Sequence, residues 1–232
     1  MNKIGIIGAM DEEVNQLKGK MQEVQVTSRA TMEFYAGKLK GKEVVVVRSG
    51  IGKVNAAICA QILVDEFEVE IVINTGIAGS LRNEINIGDI VISTDAMHHD
   101  MDVTGFGHEY GIIPRMETSV FTADSKIVDI AYNVCKKVNP DINVYCGRIV
   151  SGDQFINDKD KKQWIVDHFQ GYCTEMEGAA IAHTACLNQI PFLIVRAISD
   201  KADDSAHMDY DVFEEKAIEH SVKLILKLMH EI

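Results

Sequence analysis

Proline is nearly absent from this sequence, three residues in 232, and there is no Gly/Ser/Pro-rich tract and no repeat at a fixed period. Nothing therefore reads as a linker or a low-complexity segment, and one domain over 1–232 is expected. Long apolar runs are also lacking. The N-terminal stretch Ile4-Gly-Ile-Ile-Gly-Ala-Met10 meets Asp11-Glu12-Glu13 at once, too short and wrongly flanked for a signal peptide or a membrane span. Basic residues are outnumbered, with 23 Lys and Arg against 35 Asp and Glu and a net charge of −12. Such a chain repels phosphate backbones and anionic lipid, which argues against nucleic acid and membrane as partners but not against an uncharged nucleoside. Cysteine is limited to positions 59, 135, 146, 173 and 186, an odd number with no C-x-x-C. Free, buried thiols and a reducing cytoplasm are expected.

What is present is an alternation of strand-like and helix-like segments. Apolar runs at Lys3–Gly8, Glu33–Leu39, Glu43–Arg48, Ile71–Thr75, Gly88–Thr94, Asn143–Val150 and Pro191–Ile198 read as strands. Helical periodicity is expected from about Asp11, over Val54–Phe67, Ala123–Val138, Lys159–His168 and Gly178–Cys186, and over Asp211–His230 after Tyr210. This layout predicts an α/β fold, a single domain with a central mixed, largely parallel twisted sheet flanked by helices. Ser49-Gly-Ile-Gly-Lys53 and Gly76-Ile-Ala-Gly-Ser80 read as small-residue turns. The first resembles a phosphate cradle only loosely, since it has neither a dinucleotide-binding nor a Walker spacing. His98-His-Asp-Met-Asp102 lacks the convergent spacing of a zinc site and reads as loop polarity. The long apolar loop Val103–Glu117 reads as a contact with a second copy of the chain.

The charged residues at predicted strand ends carry the chemistry. Glu13, Glu175, Glu177, Arg196 and Asp200 all fall there, at the edge where open α/β sheets place their ligands. For Glu12 and Glu13 a competing reading is a wet helix start that complements the dipole. Buried charge costs several kcal/mol unless it is paired or used. No Ser/His/Asp or Cys/His pairing stands out, which argues against acyl transfer, and no cofactor fingerprint is evident. An acid, a base and an acceptor-only carboxylate suit cleavage of a glycosidic bond, the last able to hold both hydroxyls of a cis-diol. Periodicity alone leaves sugars, nucleosides and other small ligands open.

Seven motifs narrow the choice. Gly5-Ile-Ile-Gly-Ala-Met-Asp-Glu-Glu13, Ser49-Gly-Ile-Gly-Lys-Val-Asn55, Asn74-Thr-Gly-Ile-Ala-Gly79, Val103-Thr-Gly-Phe-Gly-His-Glu-Tyr-Gly111, Val150-Ser-Gly-Asp-Gln-Phe-Ile156, Glu175-Met-Glu177 and Val195-Arg-Ala-Ile-Ser-Asp200 follow one another along almost the whole chain. Together they resemble those of the 5'-methylthioadenosine/S-adenosylhomocysteine nucleosidases, a branch of the nucleoside phosphorylase superfamily. That resemblance implies hydrolysis of the ribose–adenine bond without a cofactor or metal. It also implies that Asp200 protonates adenine N7, Glu13 activates water, and Arg196 and Glu175 help to hold that water. Glu177 would bind the ribose hydroxyls with Met176 against the sugar, and Phe155 would stack on adenine. The backbone of Ile156 would read the adenine edge, Ser199 would support Asp200, and Ala78 and Gly79 would form the floor. The 5'-alkylthio group would lie among Met10, Ile51, Pro114 and Tyr210, with Val103 and Phe106 supplied by the second subunit of a homodimer. For these roles Asp200 has to hold a proton at neutral pH, through burial or a suitable hydrogen bond, and Glu13 has to stay ionised, which a nearby Arg196 would favour.

Two positions depart from the pattern. Ile77 stands where the better-known members have serine, and Tyr210 where phenylalanine is common. A phosphorylase of the same fold would need an arginine and a serine where this chain has Asn74 and Ile77. A nucleosidase for another 5'-modified adenosine-like substrate, such as a menaquinone precursor, stays open as an alternative, because the 5' pocket is general apolar surface. A non-catalytic nucleoside-binding module would need neither Glu13 nor Asp200.

Overall fold

The computed structural model describes residues 3–204 and 206–232, and of 207–212 the backbone only. The first half of the chain runs β1 (Ile4–Gly8), α1 (Asp11–Lys18), β2 (Gln22–Arg29), β3 (Met32–Leu39), β4 (Lys42–Arg48), α2 (Lys53–Asp65), β5 (Ile71–Ser80) and β6 (Ile90–His98). The second half runs β7 (Phe121–Thr122), α3 (Ser125–Val138), β8 (Val144–Ser151), α4 (Lys159–Phe169), β9 (Cys173–Glu175), α5 (Gly178–Leu187), β10 (Phe192–Asp200) and α6 (Ala206–Leu228). A 3₁₀ turn over Thr104–Phe106 interrupts the loop between β6 and β7.

All the strands join one mixed sheet in the order β10-β6-β8-β9-β5-β1-β4-β3-β2, with β7 on β6. Pairings β1–β4, β1–β5, β5–β10, β6–β8 and β8–β9 are parallel. Because β10 pairs with β5 as well as with β6, the strands β10, β6, β8, β9 and β5 close on themselves like a small barrel. The remaining strands extend from β5 as an open wing that ends in the β2–β3–β4 meander. Every residue of β5 and β10 is buried, as expected of strands covered on both faces by helices.

Several expectations are corrected. Gly76–Ser80 is not a turn but the second half of β5, because β10 lies against it in parallel register and satisfies its backbone. β2 went unread because its sequence, Gln-Glu-Val-Gln-Val-Thr-Ser-Arg, is mostly polar, with only Val24 and Val26 apolar, and is exposed on nearly every residue. β6 extends through His98, and His98 and His99 are buried rather than part of a polar loop. Burial pushes both imidazoles down to about 4. The last helix starts at Ala206, ahead of Tyr210. Cys59, Cys135 and Cys173 are buried free thiols, but Cys146 is half-buried and Cys186 exposed.

Candidate active site

A cavity of about 460 Å³ opens where β1, β5, β9 and β10 end and where α1 and α5 begin. Glu13, Glu175, Glu177 and Asp200 all line it, each nearly inaccessible to solvent. Parallel neighbours aim their carboxyl ends at one edge, so residues far apart in sequence meet there.

Glu13 sits in the first turn of α1. Its Oε2 accepts from the backbone N–H of Ala9 at 2.6 Å and of Met10 at 3.1 Å. Oε1 accepts from Ile77 N–H at 3.1 Å. Glu12, its neighbour, is exposed, so the wet helix start describes Glu12 and not Glu13. Burial pushes the Glu13 carboxyl above the ordinary carboxylate value, against the pull of Arg196 and the three backbone donors. Arg196 does favour the ionised form, as expected, but desolvation is the larger effect and the net shift is upward.

Arg196 does not line the cavity; it lies behind the carboxylates, 1 % exposed. Its Nη2 donates to Asn74 Oδ1 at 2.5 Å and to Glu175, and stands 3.6 Å from Glu177 Oε2. Burial works to lower its pKa, but Glu175, Glu177 and Glu13 prevail and raise it. Only the glycine opposite makes room for this group. Arg196 registers with Gly76 on β5, and a Cβ there would lie 2.2 Å from Arg196 Nη1 and 2.4 Å from Glu13 Oε1.

Glu175 and Glu177 flank the start of α5. The Glu175 carboxylate accepts from Glu177 N–H at 3.1 Å, from Gly178 N–H at 2.8 and 3.0 Å, and from Ser151 Oγ. It caps the helix and anchors Arg196 together. Glu177 Oε1 accepts from Gly52 N–H at 2.9 Å. Burial and the neighbouring Glu175 push its pKa up to about 7, opposed by Arg196 and the Gly52 amide.

Asp200 depends on an irregularity in β10. Ile198 pairs with Ala78 and Asp200 with Gly79, so Ser199 is an extra residue at a bulge. A regular strand sends successive side chains to opposite faces, yet Ser199 and Asp200 both line the cavity. The bulge re-aims them. Ser199 Oγ donates to Asp200 Oδ2 at 2.8 Å, and Ala202 N–H donates to Oδ1 at 2.8 Å. Gly79 again supplies the space, since a Cβ there would come within 2.7 Å of Asp200 Oδ1.

Apolar walls complete the cavity. Phe155, 42 % exposed, and Met10, Ile51, Met176, Ala78 and Gly79 all contribute. Ile156 lies outside the lining, buried with Leu81, Met97, Val150 and Phe169. Val103, Phe106 and Pro114 also lie outside it in this chain. The side chain of Tyr210 falls outside the described residues. Sequence reading missed Ala9 and Thr174, which line the cavity, and Ser151, which holds Glu175. Ala9 and Ser151 stand inside two of the quoted motifs and Thr174 precedes a third, the one signal available for them.

Comparison with known proteins gives the family. A family model described as the phosphorylase superfamily matches residues 3–230. A curated relative from Exiguobacterium sp., a 5'-methylthioadenosine/S-adenosylhomocysteine nucleosidase, is 46% identical over 97% of this chain and 96% of its own. The chain belongs to this nucleosidase family of the phosphorylase superfamily. The nucleosidase from Neisseria meningitidis, solved in complex with methylthio-immucillin-A, superposes with a TM-score of 0.96 at 37% identity over 100% of both chains. A futalosine hydrolase from Helicobacter pylori superposes with a TM-score of 0.94 at 31% identity, over 100% of this chain and 98% of that one. Hydrolases named for different substrates thus share this backbone. Side chains at the cavity, not the fold, have to set specificity.

Proposed function

We propose that this chain hydrolyses the N-glycosidic bond of 5'-methylthioadenosine and S-adenosylhomocysteine, and also accepts 5'-deoxyadenosine, releasing adenine and the corresponding ribose. The observation that carries this reading is the convergence of Glu13, Glu177 and Asp200 on one cavity with apolar walls. Asp200 gives its proton to adenine N7 as the C1'–N9 bond breaks, and the electron pair leaves with the base. Glu13 takes a proton from the water that attacks the oxocarbenium-like C1'. A carboxylate has about four acceptor positions, and three on Glu13 are filled by backbone N–H groups. That leaves one for the water. Its raised pKa makes it a better base near neutrality. Glu177 accepts from the ribose hydroxyls, Met176 packs on the sugar and Phe155 stacks on the base. Ser199 steadies Asp200 and, as a hydroxyl, can bond either protonation state of it. Arg196 and Glu175 act on the water indirectly, by holding the charge balance behind Glu13 and Glu177.

A phosphorylase reading fares worse. Among the described residues that line the cavity there is no Lys or Arg to grip phosphate. Asn74 is committed to Arg196 and to the carbonyl of Ile7, and Ile77 offers only an aliphatic side chain. The deciding experiment is adenine release from 5'-methylthioadenosine in phosphate-free buffer, then with phosphate added. Free 5-methylthioribose at an unchanged rate is expected; a phosphate-dependent rate that yields a sugar 1-phosphate overturns hydrolysis. Tight binding of adenosine analogues with no release would point to a binding module.

The working unit in this reading is a cytoplasmic homodimer of one-domain chains. Phe106 is 86 % exposed in the single chain. Ile51, Val54 and Ile58 on and beside α2 and Leu187 on the adjacent α5 are exposed apolar residues. A second copy seated there would bring Val103 and Phe106 to the neighbour's cavity and cover the 5' substituent beside Met10 and Ile51. Among the described residues no helix is long and apolar enough to cross a membrane.

A further inference from the structure

Two turns border the cavity mouth, Gly50–Lys53 before α2 and Gly152–Phe155 after β8. They are far apart in sequence but close into a ring through Asp100. Lys53 Nζ pairs with Asp100 Oδ1 at 2.6 Å. Asp153 N–H donates to Asp100 Oδ2 at 3.0 Å, and Lys53 N–H donates to Asp153 Oδ1 at 2.8 Å. The Lys53 and Asp100 side chains are only 23% and 17% exposed. A pair this sheltered is screened less than a surface ion pair and holds its geometry better. Burial works to raise the Asp100 pKa, but Lys53 and the Asp153 amide prevail and hold the carboxyl below its ordinary value.

Two arms of this ring reach the site. Gly52, next to Lys53, donates its N–H to Glu177 Oε1 at 2.9 Å. Its φ of 97° lies where glycine is favoured, and a Cβ there would stand 3.0 Å from Asp153 Oδ1. On the other arm, Phe155 follows Asp153 by two residues and forms a wall of the cavity. Asp100 is anchored through its neighbour, since His99 N–H donates to Ser151 O at 2.9 Å and the His99 ring packs against Gly152.

We propose that the Lys53–Asp100 pair is a positioning element for substrate capture: it sets the Gly52 amide against Glu177 and Phe155 against the purine. This rests on the roles given to Glu177 and Phe155 above. Lys53 and Asp100 touch no reacting atom and act through those two groups. Loss of the pair leaves the turns joined through the Lys53 N–H to Asp153 Oδ1 bond but without their common brace, and this loosening weakens ground-state binding more than bond cleavage.

The test is steady-state cleavage of 5'-methylthioadenosine by the full chain carrying Lys53→Met, Asp100→Asn, both together, or Lys53→Arg. Each of the first two is expected to raise KM on the order of tenfold, the loss of one charge-assisted contact, with kcat within about threefold. The double variant is expected to be no worse than the worse single one, because both remove the same contact. Lys53→Arg is expected to recover most of the KM. A second readout is the pH dependence of KM. The groups that face Glu177 are Glu175, Arg196, Glu13 and the Gly52 amide. The Gly52 amide is one of those that lower its pKa, so the KM transition is expected to move to higher pH in Lys53→Met. A merely structural pair would lower the melting temperature and leave both KM and its pH profile unchanged, and that result overturns the proposal. Additive effects in the double variant overturn it too. If Asp100→Asn does not fold, Lys53→Met carries the same comparison. Normal wild-type turnover with normal variants overturns this inference alone; absence of wild-type turnover overturns the nucleosidase assignment and this inference with it.

Discussion

Gly76→Ala tests the interior of the site with the smallest possible change. The added methyl would stand 2.2 Å from Arg196 Nη1, 2.4 Å from Glu13 Oε1 and 2.9 Å from Glu13 Cδ. These are ends of side chains, but neither is free to swing. Arg196 is fixed by Asn74 and Glu175 and is 1 % exposed, and Glu13 by three backbone N–H groups. To regain ordinary contact the Glu13 oxygen has to retreat by about 1 Å, a misplacement that costs on the order of a hundredfold in rate. Overpacking costs about 1–3 kcal/mol, and loosening a buried charge from its partners adds toward the 3–5 kcal/mol of a broken buried pair. Roughly 3 kcal/mol is the expected loss, or about 6–12 °C in melting temperature for a chain of this size. Differential scanning calorimetry and adenine release measure the two effects. A variant that melts within a degree of wild type and retains full kcat/KM would refute the crowding argument and with it the assignment of Glu13 as base.

Asp200→Asn is expected to abolish base release by removing the proton donor, while an adenosine analogue still binds by calorimetry; normal turnover would remove Asp200 from its role. Glu177 gives a pH signature: its carboxyl is raised from 4.5 to about 7 in the fold, so the folded chain keeps a proton that the unfolded chain releases. That contribution is complete below the unfolded value and is lost as pH rises from about 4.5 to 7. Melting of the ligand-free protein across that window is expected to fall less steeply for Glu177→Gln than for wild type, and equal slopes would count against the burial argument. Phe106→Ala is expected to raise KM several-fold for 5'-alkylthio substrates, and a monomer active at nanomolar concentration, by sedimentation, would discard the shared cavity.

Legibility followed the range of the forces involved. Apolar runs and helix periods are local, and β1, β3, β4, α2, α3, α4 and β8 fall within a few residues of where the sequence puts them. β2 offers only Val24 and Val26, both exposed, as an apolar pattern; its strand partner is β3. The small residues of Gly76–Ser80 suit a turn by local preference, but a partner strand makes them β5, a case of tertiary context overriding propensity. His98-His-Asp100 looked like a polar loop because three polar residues in a row carry no period. Burial of the two imidazoles and the bond from Lys53 to Asp100 come from long-range packing.

Residue types and their order along the chain determined the α/β class, the acidic character, and the set of carboxylates open to an acid–base assignment. These depend on composition, periodicity and motif, which a linear chain displays. Tertiary structure alone decided that Arg196 stands behind the cavity, that burial outweighs it at Glu13, and that the bulge at Ser199 turns Asp200 inward. It also decided that Lys53, Asp100 and Asp153 close into one ring. The reason is common to all four. Desolvation, strand register and the meeting of distant turns are properties of how segments pack on one another, and no local stretch of sequence contains them.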